Sequence, residues 1–249
     1  MRRPLMAGNW KMYKTAGETR AFFEQFKPRV AEAHHCDIVI APPFTALAAA
    51  AAAIRESNIA LGAQDVHWEK EGAFTGEVAP GMLVDAGCHY VIIGHSERRQ
   101  YFHESDDSVS RKLLAALRVG LTPIVCLGET LEERRAHATE AVLTRQFAGA
   151  FNALTASQFS RIIIAYEPVW AIGTGQTATP EMAAETHRFL RRRTEERFSA
   201  HEARAVRILY GGSVKPGNVK SLMAQPEIDG GLVGGASLDP ESFAAIVNF

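Results

Sequence analysis

The chain has 249 residues, an apolar share of 47%, and 27 basic against 28 acidic residues, for a formal net charge of −1. This length suits a single α/β barrel, and the apolar share is enough to fill one large core. The near-zero charge balance gives no indication of a nucleic-acid or membrane partner. The basic run Arg191, Arg192 and Arg193 is followed by Glu195 and Glu196. It is interpreted as a solvated helix face with mixed-sign pairs.

The cysteines and the amino-terminal segment bear on the cellular compartment. Cys36, Cys88 and Cys126 are odd in number and widely spaced, so they predict neither a disulfide framework nor a zinc site. The first residues reach polar Asn9 and Lys11 too early for a signal peptide, and no stretch is long and apolar enough to span a bilayer. A reducing compartment and a cytoplasmic location are therefore expected.

Short apolar runs alternate with helical segments along the chain, the pattern of a parallel sheet built from βα units. Eight runs are predicted as strands: 5–10, 37–41, 59–64, 90–94, 121–127, 161–166, 206–210 and 230–233. Several are continuously apolar, as strands covered on both faces should be. Helix starts are indicated at Thr179 and Asp239, where a capping side chain precedes proline. We predict one (β/α)8-barrel domain that spans residues 1–249.

Polar residues and glycines collect directly after five of the predicted strands. In a barrel of this kind the active site lies at the carboxyl ends of the strands. The residues are Asn9 and Lys11 after the first strand, His95 and Glu97 after the fourth, Glu167 after the sixth, and glycine pairs at 211–212 and 234–235 after the seventh and eighth. These strand ends are expected to meet at one mouth of the barrel.

Glu167 is the candidate base, because it lies between a buried run and Pro168, close to a low-dielectric interior. A lone glutamate of this kind is more often a loop cap or an arginine partner. The length of the segment 168–178 nevertheless favours the interpretation of Glu167 as a base. It far exceeds the roughly 2 to 6 residues that usually connect a strand to its helix. We interpret it as a lid, stiffened by Pro168 and Trp170, in which glycines such as Gly173 bring backbone N–H groups close to an anion. A lid over a base predicts chemistry that excludes water.

His95, Lys11 and Asn9 are the candidate partners of this base. His95 precedes Ser96 at an expected helix start, where helix N–H groups oppose protonation of one ring nitrogen, so a neutral imidazole would donate from the other to a carbonyl oxygen. Lys11 offers an ammonium that attracts a dianion and offsets charge developing on oxygen, and Asn9 adds a neutral donor. Taken singly, each residue has a plainer interpretation as a structural histidine, a surface lysine or a turn asparagine. Their shared position at strand ends favours one site.

Two glycine-containing segments, 210–214 and 231–237, follow the seventh and eighth strands. Glycine permits close approach of the backbone, and N–H groups at a short helix after the last strand of a barrel bind an anion. Ser213, Gly234 and Gly235 are therefore candidate phosphate-binding residues. The chain has no Walker sequence and no strand-linked G-x-G-x-x-G, which favours a monophosphate over a nucleotide.

From residue 7 to residue 249 the chain resembles the triosephosphate isomerase family. Five segments in order carry the resemblance: GNWKM at 8–12, IGHSERR at 93–99, AYEPVWAIGTG at 165–175, YGGSV at 210–214 and LVGGASL at 232–238. The resemblance implies the TIM-barrel fold and the interconversion of dihydroxyacetone phosphate and D-glyceraldehyde 3-phosphate through an enediol or enediolate. It also implies a step of glycolysis and gluconeogenesis that needs no metal or organic cofactor.

The same resemblance implies roles for individual residues. Glu167 would shuttle the proton, while His95 and Lys11 stabilise charge on oxygen with help from Asn9. Backbone N–H groups near four residues would hold the phosphate: Gly173, Ser213, Gly234 and Gly235. Glu97 and Cys126 would support the site, although a small buried apolar residue is the plainer interpretation of Cys126.

The segment 64–77 resembles the family's long third loop, which inserts into a partner subunit. A homodimer through the loop around Thr75 is therefore implied, and Phe74 at its tip would be an unusual apolar exposure in a monomer. Three positions depart from the family's pattern: Tyr13, Asp65 and Gln176. None is catalytic, and we expect Asp65 to change contacts at the dimer interface and Gln176 to change the rates of lid movement.

Two other functions stay open on the sequence. A metal-dependent sugar-phosphate epimerase would need convergent His and Asp ligands at several strand ends, where only His95 is found. A non-catalytic binding or scaffold protein would keep the fold without the chemistry. The presence of Lys11, His95 and Glu167 together argues against that second function.

Overall fold

The structure is a computed structural model that describes residues 2–172 and 177–249. Its strands are β1 Leu5–Asn9, β2 Asp37–Ala41, β3 Ile59–Ala63, β4 Cys88–Ile93, β5 Thr122–Leu127, β6 Ile163–Tyr166, β7 Arg207–Tyr210 and β8 Gly230–Val233. Each strand pairs in parallel with the next in chain order, and β8 pairs back with β1 to close the barrel. The predicted (β/α)8 class is confirmed.

The predicted strands agree with the observed ones to within two residues at either end. The bounds of β2 and β8 are those predicted, while β4 begins two residues earlier, at Cys88. Trp10 lies just beyond β1, and its indole Nε1 donates to the carbonyl oxygen of Ser237 at 3.0 Å. The end of β1 is thereby tied to the segment that follows β8.

Helices cover the outside of the barrel. They are α1 Ala16–Val30, α2 Leu47–Ala53, α3 Pro80–Asp85, α4 Ser96–Tyr101, α5 Asp106–Arg118, α6 Leu131–Arg135, α7 Thr139–Phe151, α8 Ala156–Phe159, α9 Pro180–Arg197, α10 Ala200–Ala205, α11 Val219–Met223 and α12 Pro240–Val247. The helix starts predicted at Thr179 and Asp239 are confirmed, because each side chain accepts a hydrogen bond from a backbone N–H in the first turn and proline is the first helical residue.

Alternation along the strands divides the core into two layers. The smaller layer fills the barrel interior with residues such as Leu5, Val39, Ile124 and Leu209. The larger layer lies between the strands and the helices. Because most side chains on both faces of the strands are buried, the strands are largely apolar, with the exposed His89 of β4 an exception.

The prediction of a solvated basic face on α9 is wrong for Arg191. Its side chain is only 11% exposed and pairs with Glu227 at 2.8 Å and with Asp229 at 2.5 Å. These partners lie more than thirty positions away in sequence, so the local charge pattern did not reveal them. Arg193 does pair with Glu196 on the helix surface, as expected.

All three cysteines are free and buried. Within residues 2–172 and 177–249, no helix combines the length and apolar character that crossing a membrane requires. The same residues contain no group of three or more His, Cys, Asp or Glu side chains arranged to hold a metal ion.

Candidate active site

A pocket of about 240 Å³ opens at the carboxyl ends of the strands. It brings together the ends of β1, β4, β6, β7 and β8, which are the five strand ends singled out in the sequence. Its lining comprises Asn9, Lys11, His95, Glu167, Ile172, Leu232 and the segments 211–215 and 234–236.

The Glu167 carboxylate lies at the inner wall of this pocket and is 2% exposed. Its Oε1 atom lies 2.9 Å from Nε2 of His95. Its Oε2 atom accepts a hydrogen bond of 2.9 Å from the backbone N–H of Ser96. Both oxygens are therefore held by the start of α4, which follows β4, two strands away from β6 around the barrel.

Two glycines make room for Glu167. A methyl group at Gly128 would come within 1.7 Å of the Glu167 carbonyl oxygen, and one at Gly211 within 2.8 Å of the Glu167 Cγ. The first distance is far below any tolerable contact, and the second would displace the carboxylate side chain. The neighbouring strand ends thus need glycine for Glu167 to occupy its position.

His95 is the N-cap residue of α4, and its Nδ1 atom accepts a hydrogen bond of 3.2 Å from the backbone N–H of Glu97. The sequence predicted this contact between the ring and helix N–H groups. Because Nδ1 accepts, the ring proton is on Nε2, which donates to Glu167. In this arrangement Nε2 is the ring nitrogen that is free to donate.

The charges around the pair set the pKa values of both groups. Burial lowers the pKa of His95, but the Glu167 carboxylate raises it by more, so the pKa of the ring is above its usual value. Burial raises the pKa of Glu167, but His95 and the Ser96 N–H lower it by more, so this pKa is below its usual value. The pKa of His95 therefore reflects burial and Lys11, which lower it, against Glu167 and Glu97, which raise it.

Lys11 lies beside this pair in a backbone conformation that non-glycine residues rarely adopt, with φ of 52°. Its N–H donates to the side-chain oxygen of Asn9 at 3.0 Å, and Gln64 donates to its carbonyl oxygen at 2.8 Å. These contacts hold a conformation that costs on the order of 1 kcal/mol or more. The ammonium Nζ lies 2.5 Å from Oε1 of Glu97, a residue outside the lining of this pocket.

The opposite wall of the pocket is built from backbone. Ser213, Gly234 and Gly235 all line it, at the ends of β7 and β8. Ser237 holds the Gly234 corner, because its hydroxyl and its N–H both donate to the Gly234 carbonyl oxygen, at 2.7 and 2.8 Å. A methyl group at Gly234 would touch Cε of Lys11 at 3.4 Å, so the lysine stem lies beside this corner.

The predicted lid begins at a short 3₁₀ helix, Val169–Ala171, anchored by Glu129. Glu129 is fully buried, and its Oε1 atom accepts from Tyr166 at 3.1 Å and from Trp170 at 3.0 Å. Arg134 balances the charge at 3.2 Å from the same oxygen and lies over the Trp170 ring. Gly173 and Gln176 lie outside the described residues, so their expected roles stay predictions.

The remaining predicted residues lie in three different settings. Cys126 is fully buried in the barrel interior, where burial raises the pKa of its thiol well above its usual value. Thr75 is exposed in the loop between β3 and α3. Asp65 is buried within the chain and pairs with Lys112 at 2.7 Å and with Arg98 at 2.8 Å. Within the chain, these ion pairs occupy the Asp65 carboxylate, and its expected effect on a dimer interface stays a prediction.

Sequence reasoning missed several residues that build the site. The signal for Glu129 was available, because it follows Gly128 directly after β5, the same kind of position that identified Glu167. Lys215 directly follows the glycine-containing segment 210–214 after the seventh strand. No residue type marks the Ser96 N–H in the sequence. Every residue except proline has a backbone N–H, and only the folded structure shows which of them donates to Glu167.

A buried carboxylate and an imidazole at the mouth of a (β/α)8 barrel, opposite a glycine-lined corner, define the chain as a barrel enzyme equipped for proton transfer. The family model described as triosephosphate isomerase matches residues 4–249. The chain belongs to the triosephosphate isomerase family and is an isomerase.

Similar proteins agree with this assignment over the full length. The chain is 64% identical to the triosephosphate isomerase of Solibacter usitatus over 249 residues, covering 100% of both chains. It is 56% identical to that of Pelobacter propionicus, covering 100% of this chain and 99% of the relative. The crystal structure of the triosephosphate isomerase of Bartonella henselae matches with a TM-score of 0.89 at 41% identity, covering 99% of this chain and 98% of that one.

Proposed function

We propose that Glu167 is the base that moves the proton as this chain interconverts dihydroxyacetone phosphate and D-glyceraldehyde 3-phosphate, the reaction of its family. Membership of the triosephosphate isomerase family supports the reaction. The observation that supports the role of Glu167 is its buried carboxylate, 2.9 Å from the only hydrogen-bond donor of His95. A carboxylate whose pKa is lowered by its surroundings is fully ionised near neutral pH and ready to accept a proton.

The proton step conserves all atoms of the substrate. Glu167 removes a proton from the carbon beside the carbonyl group, and the released electron pair forms a carbon–carbon double bond while negative charge moves onto the carbonyl oxygen. A proton then moves from the neighbouring hydroxyl group to that oxygen. Return of the first proton to the former carbonyl carbon, as the other carbon becomes the new carbonyl, gives the isomer. The single donor on Nε2 of His95 can serve Glu167 or the substrate oxygen but not both. Substrate binding would therefore free Glu167 from His95.

Lys11 and Asn9 would stabilise the charge that develops on that oxygen. The Lys11 ammonium is fixed by Glu97 on one side and by its constrained backbone on the other. A cation that is already in place needs no reorganisation during the reaction, which is the main source of electrostatic stabilisation of a transition state. The Asn9 side chain is held by the Lys11 N–H, which leaves its amide NH₂ to donate.

The phosphate group would bind at the backbone wall formed by Ser213, Gly234 and Gly235, together with Gly173 of the lid. Backbone N–H groups at glycines are suited to a dianion because no side chain prevents its close approach. The buried contacts of Glu129 would hold the entry of the lid while its tip closes over the phosphate.

A homodimer through the loop around Thr75, located in the cytoplasm, completes the proposal. Large apolar side chains are exposed beside the first, third and fourth strand ends: Met12, Tyr13, Phe74, Tyr101 and Phe102. Such a group of exposed apolar residues is typical of an interface. We expect a dimeric mass by sedimentation at micromolar concentration, reduced towards the monomer by Thr75→Arg. A monomeric mass for the parent chain would reject the dimer.

The reaction is tested by assaying the purified chain with glyceraldehyde 3-phosphate in EDTA, which removes any contribution from a divalent metal. Glu167→Gln is expected to lower turnover by about 100- to 10,000-fold, the range typical of losing a general base. Glu24→Gln, an exposed glutamate on α1, is the matched control and should leave turnover unchanged. No turnover by the folded parent would overturn the enzyme assignment, and equal turnover by the Glu167→Gln protein would show that Glu167 is not the base.

A further inference from the structure

The rim of the pocket carries a lysine, Lys215, that the proposed mechanism does not use. Lys215 lines the same cavity as Lys11 and Glu167, but at the end of β7, beside Ser213. It is exposed to solvent, whereas the Lys11 side chain is 24% exposed. Of the described residues that line the pocket, Lys11 and Lys215 are the cations.

The two lysines differ in whether a carboxylate lies beside the ammonium group. The Lys11 ammonium lies 2.5 Å from Glu97, so much of its field outside the pocket is cancelled. No carboxylate in residues 2–172 or 177–249 pairs with Lys215. Lys215 therefore presents an uncompensated positive charge at the phosphate side of the opening.

The net charge of the whole chain does not attract a phosphate-bearing substrate to the pocket. With 27 basic and 28 acidic residues, the chain as a whole does not attract an anion. A substrate that carries a phosphate dianion would be drawn in only by local positive charge at the mouth of the site. Lys215 lies where that charge is needed.

The backbone that carries Lys215 is fixed by Asn218. The Asn218 side-chain oxygen accepts from the Lys215 N–H at 2.8 Å, and its NH₂ group donates to the Ser213 carbonyl oxygen at 2.9 Å. One side chain thus holds both Ser213, a proposed phosphate-binding residue, and the base of Lys215. The lysine stem starts from a fixed point beside the backbone wall, although its ammonium is in water.

We propose that Lys215 is an electrostatic steering residue, which draws phosphate-bearing substrates into the pocket and leaves the proton step unchanged. This inference rests on the proposed function for the identity of the substrate. It assigns Lys215 to the association step, so its removal should lower kcat/KM by raising KM. Its contribution should fall as salt screens exposed charges, because the screening length is about 10 Å at 0.1 M salt.

The test compares Lys215→Gln with Lys220→Gln, which removes an exposed lysine of α11 that does not line the pocket. At about 10 mM salt, Lys215→Gln is expected to lower kcat/KM by about 3- to 10-fold, and the deficit should disappear at about 0.3 M salt. Lys220→Gln should match the parent at both salt concentrations. Glyceraldehyde, which lacks the phosphate, should be turned over equally by all three proteins.

Stopped-flow binding of glycerol 3-phosphate separates this inference from the proposed function, because it requires no turnover. Slower association with Lys215→Gln at low salt, and an unchanged dissociation rate, supports steering. Equal association rates for parent and variant would overturn the inference even if the enzyme is fully active. A loss of kcat that does not depend on salt would also overturn it, because it would assign Lys215 to the chemical step or to the fold.

Discussion

The two walls of the pocket are built from different materials. The wall formed by β4 and β6 is made of buried side chains: the Glu167 carboxylate and the His95 ring fix one another through short contacts. The wall formed by β7 and β8 is made of backbone at Ser213, Gly234 and Gly235, with a single exposed lysine at its rim. Proton transfer depends on atoms placed to within a fraction of an ångström, whereas a dianion is bound by several weaker and more tolerant contacts.

This difference predicts how each wall responds to substitution. Changes on the side-chain wall should mainly lower kcat and shift the pH profile, because they act on the proton. Changes on the backbone wall should mainly raise KM, because they act on the phosphate.

The largest effect is expected from His95→Ala, which removes the ring from Glu167. Turnover should fall by about 100- to 10,000-fold, because the donor to the substrate oxygen is lost. Burial, which raises the pKa of Glu167, would no longer be outweighed by His95. The acid limb of the kcat/KM profile should therefore move to higher pH. An acid limb at the same pH as in the parent would show that His95 does not set the Glu167 pKa.

A smaller loss is expected from Gly211→Ala, which adds a methyl group 2.8 Å from the Glu167 Cγ. The carboxylate must move by a few tenths of an ångström or more, and misplacement of a catalytic group costs up to about 100-fold in rate. Gly217→Ala is the matched control, since a methyl group there meets no atom within 4 Å. Steady-state kinetics should show a loss of kcat for the first variant alone. Unchanged kcat in Gly211→Ala would mean that Glu167 needs no such room.

Asn218→Asp tests the backbone wall. The aspartate keeps an oxygen for the Lys215 N–H but loses the donor to the Ser213 carbonyl oxygen, so the phosphate-binding turn is less fixed. KM should rise by at least about 3- to 10-fold, because one net hydrogen bond is lost and the new carboxylate repels the phosphate dianion. Turnover at saturation should be nearly unchanged, and a fall in kcat with constant KM would contradict the division between the two walls.

No effect on turnover is expected from His187→Gln, because His187 lies on α9 away from the pocket. Burial lowers the pKa of His187 to about 3, so the folded chain binds fewer protons there than the unfolded chain below the usual histidine value of 6.5. The stability from this group is complete above pH 6.5 and is lost progressively as the pH falls towards 3.

Urea denaturation at fixed protein concentration measures this effect. His187→Gln should reduce the loss of stability on acidification by up to about 1.4 kcal/mol per pH unit, relative to the parent. Gln25→Ala, which changes an exposed side chain of α1 that carries no titratable group, is the control and should leave that dependence unchanged. If His187→Gln and the parent lose stability equally between pH 6.5 and pH 5, the buried histidine is not the group that titrates.

The fold could be predicted from the sequence because each strand is marked independently. Eight apolar runs are separated by helical segments, and local signals such as Thr179 before Pro180 fix where helices begin. The end of a strand is less well defined. Trp10 continues the apolar run but lies beyond β1, and its indole N–H donates to a residue 227 positions away.

The site could be predicted only in part. Strand ends identified Lys11, His95 and Glu167, because a polar residue after a buried strand stands out. The partners of those residues did not stand out: Ser96 donates to Glu167 through its backbone from 71 positions away. The sequence pattern likewise predicts a solvent-exposed Arg191, because its partners Glu227 and Asp229 come close to it only in the folded chain.

The central claim, that Glu167 carries a proton between two carbons, is tested most directly by isomerisation in deuterium oxide. The product is examined by NMR for deuterium at the carbon that receives the proton. A shuttling carboxylate exchanges part of its proton with solvent, so the account predicts partial incorporation by the parent and the Glu24→Gln control, and almost no product from Glu167→Gln. Full turnover by Glu167→Gln, with the same deuterium content in its product as the parent, would contradict the account, because the proton would then move without Glu167.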